Sequence, residues 1–583
     1  MKNDTKKSVT KILVIAGFLL IIYLLFIFPL IKFNENESTL LKGAKRYFEI
    51  NKNLLPEEGE IRTINGVELL DKKYIPDLRT AYNHDTCDTR HSFVKVKRKE
   101  GQYLYYTYLK CGIFSSNIDH TGPVITLNGN DTINVERYSK FKDPGVKSVI
   151  DNNDGKINAK DVAVSSDVDT SKNGVYTITY SAVDTLENKT EVTRTVKVTQ
   201  NLSKTVEKAT GKSNVYVGDG DNYIMFSGQL YRIVGLDSDG NTKIVANEDV
   251  GHVDFNSIKD YLNDFYDTLT NDSKKYVVTN YNFCSDTVSS KDKDKITTCN
   301  SKKNIGNSGL LSINEYNSSL TKEGGSFLYP DTISWTYNSK NSKEAWTTRY
   351  SFNGQSSKYL DYNKNYIFSV RPVFVIKKST LIKKGTGSYE NPYVIDNFKE
   401  LKGGTKVSKL RVGEYISYRG QLFRVSSNDS KNVKVISNYS YEFDDNIVNN
   451  SKYNPNKNNN IGYSVENNIS RQISTNIFKK HKVSANIYSS YPTYNGKHES
   501  KTYNIKISLP SLFDFYSNIN GQTWYIEYSK KYKQYYGSGN GTIYFPIANF
   551  AYASSTKIAG YLRNDAVVVS GSGTKQDPYT ISY

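Results

Sequence analysis

The stretch GQLYRIV at Gly228–Val234 returns as GQLFRV at Gly420–Val425, and this repetition decides the fold of most of the chain. A second pair follows in the same order, because GTGSYENPYVI at Gly385–Ile395 returns as GSGTKQDPYTI at Gly571–Ile581. Ordered matches of this kind indicate a duplicated structural unit. The sequence therefore predicts two homologous α+β domains that are rich in strands.

We call these domains lobe 1, residues 214–396, and lobe 2, residues 405–583, and we call the repeated Asn-Pro-Tyr and Asp-Pro-Tyr segments the hooks. Each lobe is predicted to open with a meander, since turn residues separate runs of alternating apolar residues. A short helix is expected at Ile258–Leu269. An apolar closing strand, Val370–Ile376 or Ala566–Val569, is expected before each hook, which folds the chain back onto the sheet.

The two lobes resemble repeat domains at the C-termini of Firmicutes surface proteins. Some of those domains are distantly similar to C-type-lectin or sulfatase-activator folds. The resemblance implies that the variable middle of each lobe forms a ligand surface, while the repeated hooks have a structural role.

Residues 119–199 have the short, evenly spaced strands of an all-β sandwich, with Val175–Tyr180 and Val192–Val198 alternating at period two. The text GPVITLNGNDTINVERYSKFKDPGV, followed by NGVYTITYSAVD and NKTEVTRTVKV, resembles the bacterial immunoglobulin-like domain first noted in pesticidal crystal proteins. That resemblance implies a spacer or binding module without catalysis. The polar residues 200–213 are predicted to be a linker.

Residues 34–118 are predicted to form a small α+β domain. A helix that Pro56 ends is followed by a shorter helix at Val67–Lys73, and strands are expected at Phe93–Val96 and Tyr103–Leu109. The string LLKGAKRYFEINKNLLP with GVELLDKKYIPD and YLKC resembles pseudopilin-like domains of Gram-positive surface proteins, which implies a pilin-like base.

The uncharged run Ile12–Ile31 is long enough to span a bilayer, since about 1.5 Å per residue gives roughly 30 Å. Lysines precede the run, so the positive-inside rule leaves residues 1–11 in the cytoplasm and the bulk of the chain outside the cell. A cleaved signal peptide is the alternative. We expect a single-pass protein of the cell membrane, with Ile12 and Ile31 bounding its anchor.

The four cysteines all follow the apolar run. An oxidising exterior favours local disulfides, Cys87–Cys111 and Cys284–Cys299. Zinc is the alternative, but the spacings are too wide for a C-x-x-C site and the histidines lack ligand spacing.

The sequence contains no catalytic constellation, and we predict that the protein is not an enzyme. Glu315 and Asp514 occupy matching positions in the two lobes, but one carboxylate per lobe is not the pair that a glycosidase needs, so helix capping is expected.

The Ig-like domain holds several oxygen-bearing side chains of the kind that bind calcium. DNNDG does not match the alternating ligands of an EF-hand, and Asx turns explain these residues more simply. We predict no metal and no cofactor. The residues in question are Asp151, Asp154, Asp184 and Asn188.

The 48 tyrosines and the three tryptophans suggest binding through aromatic faces with polar tips. Trp335 and Trp524 recur like framework residues, whereas Trp346, Tyr535 and Tyr536 are the candidates for ligand contact. The net charge of +18 is scattered between acids rather than gathered into a basic run, so nucleic acid is not an expected partner.

These observations predict a multidomain protein with one transmembrane helix, a pilin-like base, an immunoglobulin-like sandwich and two tandem domains. The expected function is adhesion, or the binding of wall polymer, glycan or protein at the cell surface. The alternative is a structural subunit of a pilus-like or secretion assembly.

Overall fold

The computed structural model describes residues 2–81, 85–217, 220–322, 325–329, 332–348, 358–397, 399–442, 451–516, 522–539, 542–544 and 555–583. The chain divides into two units, residues 1–198 and residues 199–583. Strands predominate in both, apart from one long helix at the N-terminus.

The N-terminal helix runs without a break from Lys2 to Ile50, through α-helix Lys2–Ile22, a π-helical segment Tyr23–Ile27 and α-helix Phe28–Ile50. Residues 12–31 of this helix are apolar and mostly exposed, and by length and composition they fit either a membrane span or a signal sequence. Its second half buries one face because apolar residues recur at helical spacing, and it ends at Ile50, earlier than Pro56.

The base packs this second half against a three-stranded antiparallel sheet. Strands Ile61–Asn65, Phe93–Lys99 and Gln102–Tyr108 lie in that order, and helix Gly66–Asp71 follows the first of them. The strand Ile61–Asn65 was not predicted. The two-residue strands Lys110–Cys111 and Phe114–Ser115 complete the base.

The sandwich predicted for residues 119–199 is present. One antiparallel sheet contains Val124–Leu127, Val146–Asp151 and Gly155–Ile157. The other contains Ala163–Ser166, Gly174–Val183 and Lys189–Asn201, with Thr132–Glu136 paired to the last. Arg194 is fully buried between the sheets, where its guanidinium pairs with Asp143 at 2.7 Å.

The prediction of a linker at residues 200–213 is wrong, because this segment contains helix Leu202–Thr210. Leu202 and Val206, one helical turn apart, are fully buried in the core of lobe 1. Asn201 caps the helix by accepting a hydrogen bond from the Lys204 amide at 3.0 Å. The polar composition of the segment conceals a narrow apolar stripe.

Lobe 1 is built on a five-stranded mixed sheet and a second, three-stranded antiparallel sheet. The strands of the first sheet, in spatial order, are Val373–Ile376, Thr242–Ala246, Gln229–Leu236, Tyr223–Phe226 and Tyr393–Val394. Those of the second are Trp335–Ser339, Glu344–Thr348 and Tyr359–Asn363. The remaining strands are His252–Asp254, Asn282–Cys284, Lys302–Asn304, Ile367–Ser369 and Leu381–Ile382.

The predicted helix of lobe 1 is present as Ile258–Asp267 and buries Tyr261, Leu262 and Phe265 on one face. Helices Asn271–Lys274 and Ile313–Ser318 follow it.

Lobe 2 has an equivalent principal sheet with additional strands at its edges. In order these are Phe478–Lys479, Ala559–Leu562, Val433–Ser437, Gln421–Asn428, Tyr415–Tyr418, Tyr579–Ser582 and Val567–Ser570, with Ile507–Ser508 also paired to Ala559–Leu562. The second sheet contains Glu499–Ile505, His481–Tyr488, Gln522–Ser529, Gln534–Gly539 and Thr542–Tyr544.

The smaller elements of lobe 2 are strands Tyr441–Glu442 and Ser555–Thr556, helices Ile461–Tyr463 and Ser470–Gln472, and the π-helical segment Ser464–Ile469. Short 3-10 helices in the two units are Lys52–Leu54, Ala159–Asp161, Gly211–Ser213, Phe255–Ser257, Val407–Lys409 and Thr475–Ile477.

The two lobes share their strand pairing. Tyr393 in the hook of lobe 1 pairs in parallel with Ile224, as Tyr579 pairs with Ile416 in lobe 2. Gly228 and Gly420 have φ angles of +80° and +78° in the hairpin turns, which explains why the repeated motif begins with glycine.

The expected equivalence of the closing strands needs a correction. Val373–Ile376 pairs with the third strand of the meander in lobe 1, but in lobe 2 that place belongs to Ala559–Leu562. Val567–Ser570 pairs instead with the hook strand Tyr579–Ser582. The apolar run Ala566–Val569 suggested the wrong segment because Gly560 and Tyr561 make the true strand less apolar.

Candidate functional site

Both predicted disulfides are present in the structure, Cys87–Cys111 in the base and Cys284–Cys299 in lobe 1. Asp286, beside the second disulfide, accepts hydrogen bonds from the backbone amides of Asn300 and Ser301. The two sulfur atoms of each disulfide are therefore bonded to each other. The Asp286 carboxylate orders the loop that contains Asn300 and Ser301.

The candidates for ligand contact lie inside the protein. Trp346 is 1% exposed and its indole N–H donates to the Val288 carbonyl at 2.9 Å. Tyr535 is fully buried and donates to the Ser451 carbonyl at 2.8 Å, and Tyr536 is 1% exposed. These side chains fill the cores of the lobes with their polar tips satisfied, so this structure corrects the prediction that they contact a ligand.

Trp335 and Trp524 are also buried, in the framework positions expected for them. Glu315 and Asp514 cap equivalent turns. Glu315 accepts from the Ser312 amide and Asp514 from the Ser511 amide, each at 2.8 Å. Each carboxylate also pairs with a lysine of the principal sheet, Lys243 in lobe 1 and Lys434 in lobe 2.

The feature best suited to bind a ligand is a cleft of about 390 Å³ where lobe 1 meets lobe 2 within residues 199–583. The polar and aromatic side chains that line it come from both lobes. Lobe 1 contributes Gln229, Asn247, Glu248 and Tyr389, and lobe 2 contributes Tyr415, Arg424, Lys575 and Gln576.

Glu248 is the charged centre of the cleft. Its carboxylate accepts a hydrogen bond from the Tyr415 hydroxyl at 3.3 Å and lies 3.5 Å from Arg424 and 3.7 Å from Lys575. A carboxylate of lobe 1 is thus surrounded by three groups of lobe 2. Burial raises the pKa of Tyr415, so its hydroxyl remains a hydrogen-bond donor at physiological pH.

Arg424 is the most unusual group in the cleft. It is 9% exposed, and its Nε donates to the Gly413 carbonyl at 3.3 Å. Its Nη1 is buried and has no hydrogen-bond partner among the described residues, although Glu248 lies nearby. A buried guanidinium N–H without an acceptor is costly, so this position favours a ligand that supplies an oxygen.

Both hooks form the rim of the cleft. Tyr389 in the hook of lobe 1 is 44% exposed, and its hydroxyl accepts a hydrogen bond from the amide of Gln576 in the hook of lobe 2. Lys575 lies beside Gln576. The repeated sequence thus does more than close each sheet, because it also brings exposed side chains together where the lobes meet.

The lobes are joined by a buried interface. Ile367 of lobe 1 packs in one cluster with Leu512, Tyr516 and Tyr525 of lobe 2. His252 of lobe 1 lies 6.2 Å, between ring centroids, from Tyr516. Burial lowers the pKa of His252 to about 3, so the interface holds a neutral imidazole.

Lys557 occupies the lobe 2 side of this interface, and burial lowers the pKa of its ammonium to about 8. It corresponds in the strand register to the buried Arg371 of lobe 1, since both residues lie two positions before the strand that completes the principal sheet. This pair is not recognisable from the sequence, because Arg371 and Lys557 stand in different sequence contexts.

Comparison with known proteins assigns one part of the chain. Residues 125–198 match the Ig-like domain of bacterial surface proteins. No curated protein sequence matches the chain. The chain is thus a mostly β, multidomain protein that carries a bacterial surface Ig-like domain and one long apolar N-terminal helix.

Three solved structures align with parts of the chain. A lipoprotein from Bacteroides thetaiotaomicron is 20% identical over 22% of this chain and 61% of its own, with a TM-score of 0.13. The CBM51-2 and INT domains of Clostridium perfringens ZmpB are 20% identical in two structures, one of them a complex with GlcNAc. These alignments cover 22% and 24% of this chain and 31% and 34% of those chains, with TM-scores of 0.12 and 0.11. The chain spans less than two thirds of each structure, and TM-scores this low carry no argument about fold.

Proposed function

We propose that this protein is a membrane-anchored bacterial surface protein that binds a glycan or a wall polymer in the cleft between its two lobes. The observation that carries the proposal is Arg424, which lines the cleft and whose buried Nη1 has no hydrogen-bond partner among the described residues. The proposal involves binding without catalysis.

The chemistry of the cleft suits a sugar. A hydroxyl both donates and accepts, so it can accept from Arg424 while donating to the Glu248 carboxylate. The ring of Tyr389 is exposed at the rim, where a sugar face can pack against it. Glu248 and Glu390 offset Arg424 and Lys575, so the lining favours a neutral or weakly charged polar ligand.

The size of the cleft favours a glycan over a protein partner. A concave site of about 390 Å³ falls in the range typical of small-ligand pockets, whereas protein interfaces are broad surfaces. A few residues of a polymer chain fit such a volume, and the rest of the polymer then extends beyond the rim.

The N-terminal helix supports surface anchoring. It continues without interruption from the apolar half into the half that packs on the base, so the anchor and the base form one element. The lysines before Ile12 place the N-terminus in the cytoplasm by the positive-inside rule, and the Ig-like domain then serves as an extracellular spacer.

The test is a binding screen of the full chain in detergent against a glycan array and purified wall polymers at physiological salt. We expect a saturable ligand whose affinity falls about tenfold in Tyr389→Ala and in Lys575→Ala. Tyr439→Ala is the matched control, because Tyr439 is 59% exposed and does not line the cleft. An absence of saturable binding, or equal losses in Tyr389→Ala and Tyr439→Ala, would refute the proposal.

A pilus-like or secretion assembly is the second candidate, and the base favours it. One long helix packed on an antiparallel sheet is the layout implied by the resemblance to pseudopilin-like domains. Chemical crosslinking of the full chain in membranes would give a ladder of regularly increasing mass for an assembly subunit. Deletion of residues 34–118 should then abolish the ladder, while a protein that works through its lobes should retain surface binding.

A further inference from the structure

A second site lies at the junction of the base and the Ig-like domain, away from the cleft. Asp119 belongs to the connection between these two parts, Asp151 ends strand Val146–Asp151, and Asp184 follows strand Gly174–Val183. One carboxylate oxygen of each residue lies within 4.8 Å of the other two. The fold therefore brings together three acids that are distant in the sequence.

Two of these three carboxylates are removed from water. Asp151 is 3% exposed and Asp184 is 7% exposed, while Asp119 is partly buried. No described lysine, arginine or histidine forms an ion pair with any of the three. Burying several like charges together is unfavourable unless a cation accompanies them.

The hydrogen bonds of Asp151 leave one oxygen without a donor. Its Oδ1 accepts from the amides of Asn153 and Asp154, each at 2.8 Å. Its Oδ2 is buried and has no hydrogen-bond partner in the part of the chain that the structure describes. This unpartnered oxygen is a second observation, independent of the clustering of the acids, that indicates a missing positive group.

Lys95 of the base lies at this junction, but its ammonium is bound to neutral oxygens. Its ammonium donates to the Leu186 carbonyl and to Asn188 Oδ1, the latter at 2.8 Å. Asn188 in turn donates from its Nδ2 to Asp184 Oδ2 at 2.6 Å. Lys95 lowers the net negative charge of the junction without occupying the free oxygen of Asp151.

We propose that Asp119, Asp151 and Asp184 bind one calcium ion at this junction. Carboxylate oxygens are the ligands that Ca²⁺ prefers, and the absence of nitrogen and sulfur donors from this cluster disfavours zinc. Water molecules and nearby oxygens complete the coordination of Ca²⁺, which tolerates irregular geometry better than Mg²⁺ does. The proposal replaces the prediction of no metal that the sequence favoured.

The ion would link the segment between the base and the Ig-like domain to the sandwich itself, two parts that a single stretch of backbone connects. Asp119 belongs to the connecting segment, whereas Asp151 and Asp184 belong to the sandwich. A shared ligand holds the connecting segment against the strand ends. The calcium of the cell exterior therefore stiffens the junction between the base and its spacer.

The test uses the full chain in detergent, stripped with EDTA and titrated with CaCl₂ by calorimetry at physiological salt, with MgCl₂ in a parallel titration. We expect one saturable Ca²⁺ site with a dissociation constant of about 10⁻³ M or tighter, as in extracellular modules, and weaker Mg²⁺ binding. Asp151→Asn should weaken Ca²⁺ binding by about tenfold or more, because it removes a negative charge. The variant keeps an amide oxygen that can accept from the Asn153 and Asp154 amides in the turn.

Asp131→Asn is the matched control, since it removes one negative charge at an exposed position of the same domain and should bind Ca²⁺ like the wild type. If Asp151→Asn does not fold, Asp119→Asn replaces it, because Asp119 is only partly buried and should also weaken binding about tenfold. Absence of a saturable Ca²⁺ signal in the wild type overturns the proposal. Unchanged binding in the folded acidic variant overturns it as well.

Discussion

The two lobes place an arginine at the same position of the same hairpin, but they use it differently. In lobe 1 the guanidinium of Arg232 donates to Asn222 Oδ1 at 2.7 Å and to the Tyr223 hydroxyl at 2.8 Å. In lobe 2 the residue equivalent to Asn222 is Glu414, whose carboxylate pairs with Arg411 at 2.8 Å.

Arg424 therefore lacks the side-chain acceptor that Asn222 provides for Arg232, and inside lobe 2 its Nε donates only to the Gly413 carbonyl among the described residues. It lines the cleft beside Glu248 of lobe 1, and its Nη1 has no hydrogen-bond partner among the described residues. A duplicated framework has thus produced one arginine that stabilises its lobe and one that is available at the junction of the lobes. The site therefore depends on the pairing of the lobes rather than on either lobe alone.

The buried aromatic residues belong to the framework of both lobes, and replacing one of them has the largest expected effect. Trp346→Ala should lower the free energy of unfolding by about 3–5 kcal/mol, because it leaves a cavity in the core of lobe 1. Trp346→Phe should cost less, since it keeps most of the volume. Chemical denaturation measures both losses, and a Trp346→Ala protein of unchanged stability that no longer binds glycan would return this residue to the ligand site.

His252 tests the interface that the lobes share. Its pKa is lowered by burial to about 3, so between pH 6.5 and 3 the unfolded chain binds a proton that the folded chain excludes. Stability should therefore fall as the pH decreases through this window, by about 1.4 kcal/mol per pH unit. Thermal unfolding between pH 7 and 4.5 should show a shallower loss in His252→Phe than in the wild type.

His498→Gln is the control for this experiment, since His498 is exposed. Its pH profile should match that of the wild type. Parallel profiles for the wild type and His252→Phe would show that the interface does not exclude the proton.

The two arginines should differ in what they contribute to stability. Arg232→Gln should lower the free energy of unfolding by about 1.5–3 kcal/mol, because it removes charged hydrogen bonds to Asn222 and Tyr223. Arg424→Gln should cost less than Arg232→Gln, because the Nη1 of Arg424 has no hydrogen-bond partner among the described residues to lose, and Glu248 keeps Tyr415 and Lys575 as neighbours. Urea denaturation monitored by circular dichroism compares them, and equal losses would contradict the separate roles.

Much of this fold follows from the sequence. The motif GQLYRIV requires a tight glycine turn between two apolar strands, and its return as GQLFRV reports a second copy of the same sheet. Period-two alternation at Val175–Tyr180 likewise gives a strand of the sandwich. Local patterns of this kind depend on neighbours in the chain, so the sequence displays them directly.

The cleft does not follow from the sequence, because Glu248, Tyr389 and Lys575 meet only when the two lobes pack together. Burial is equally hidden. Trp346 is of a residue type that commonly contacts sugars, yet the side chains around it in the folded lobe bury it. Leu202 and Val206 are too few to mark a helix within a polar segment until the core of lobe 1 is seen beneath them.

We propose that ligand binds in the cleft between the lobes, and the most direct test compares the two equivalent arginines. The strongest ligand from the glycan screen is titrated into the wild type, Arg424→Gln and Arg232→Gln, with circular dichroism to establish that each variant is folded. We expect Arg424→Gln to lose affinity by about tenfold or more, while Arg232→Gln binds like the wild type. Equal affinities in the two variants, or a loss confined to Arg232→Gln, would contradict it.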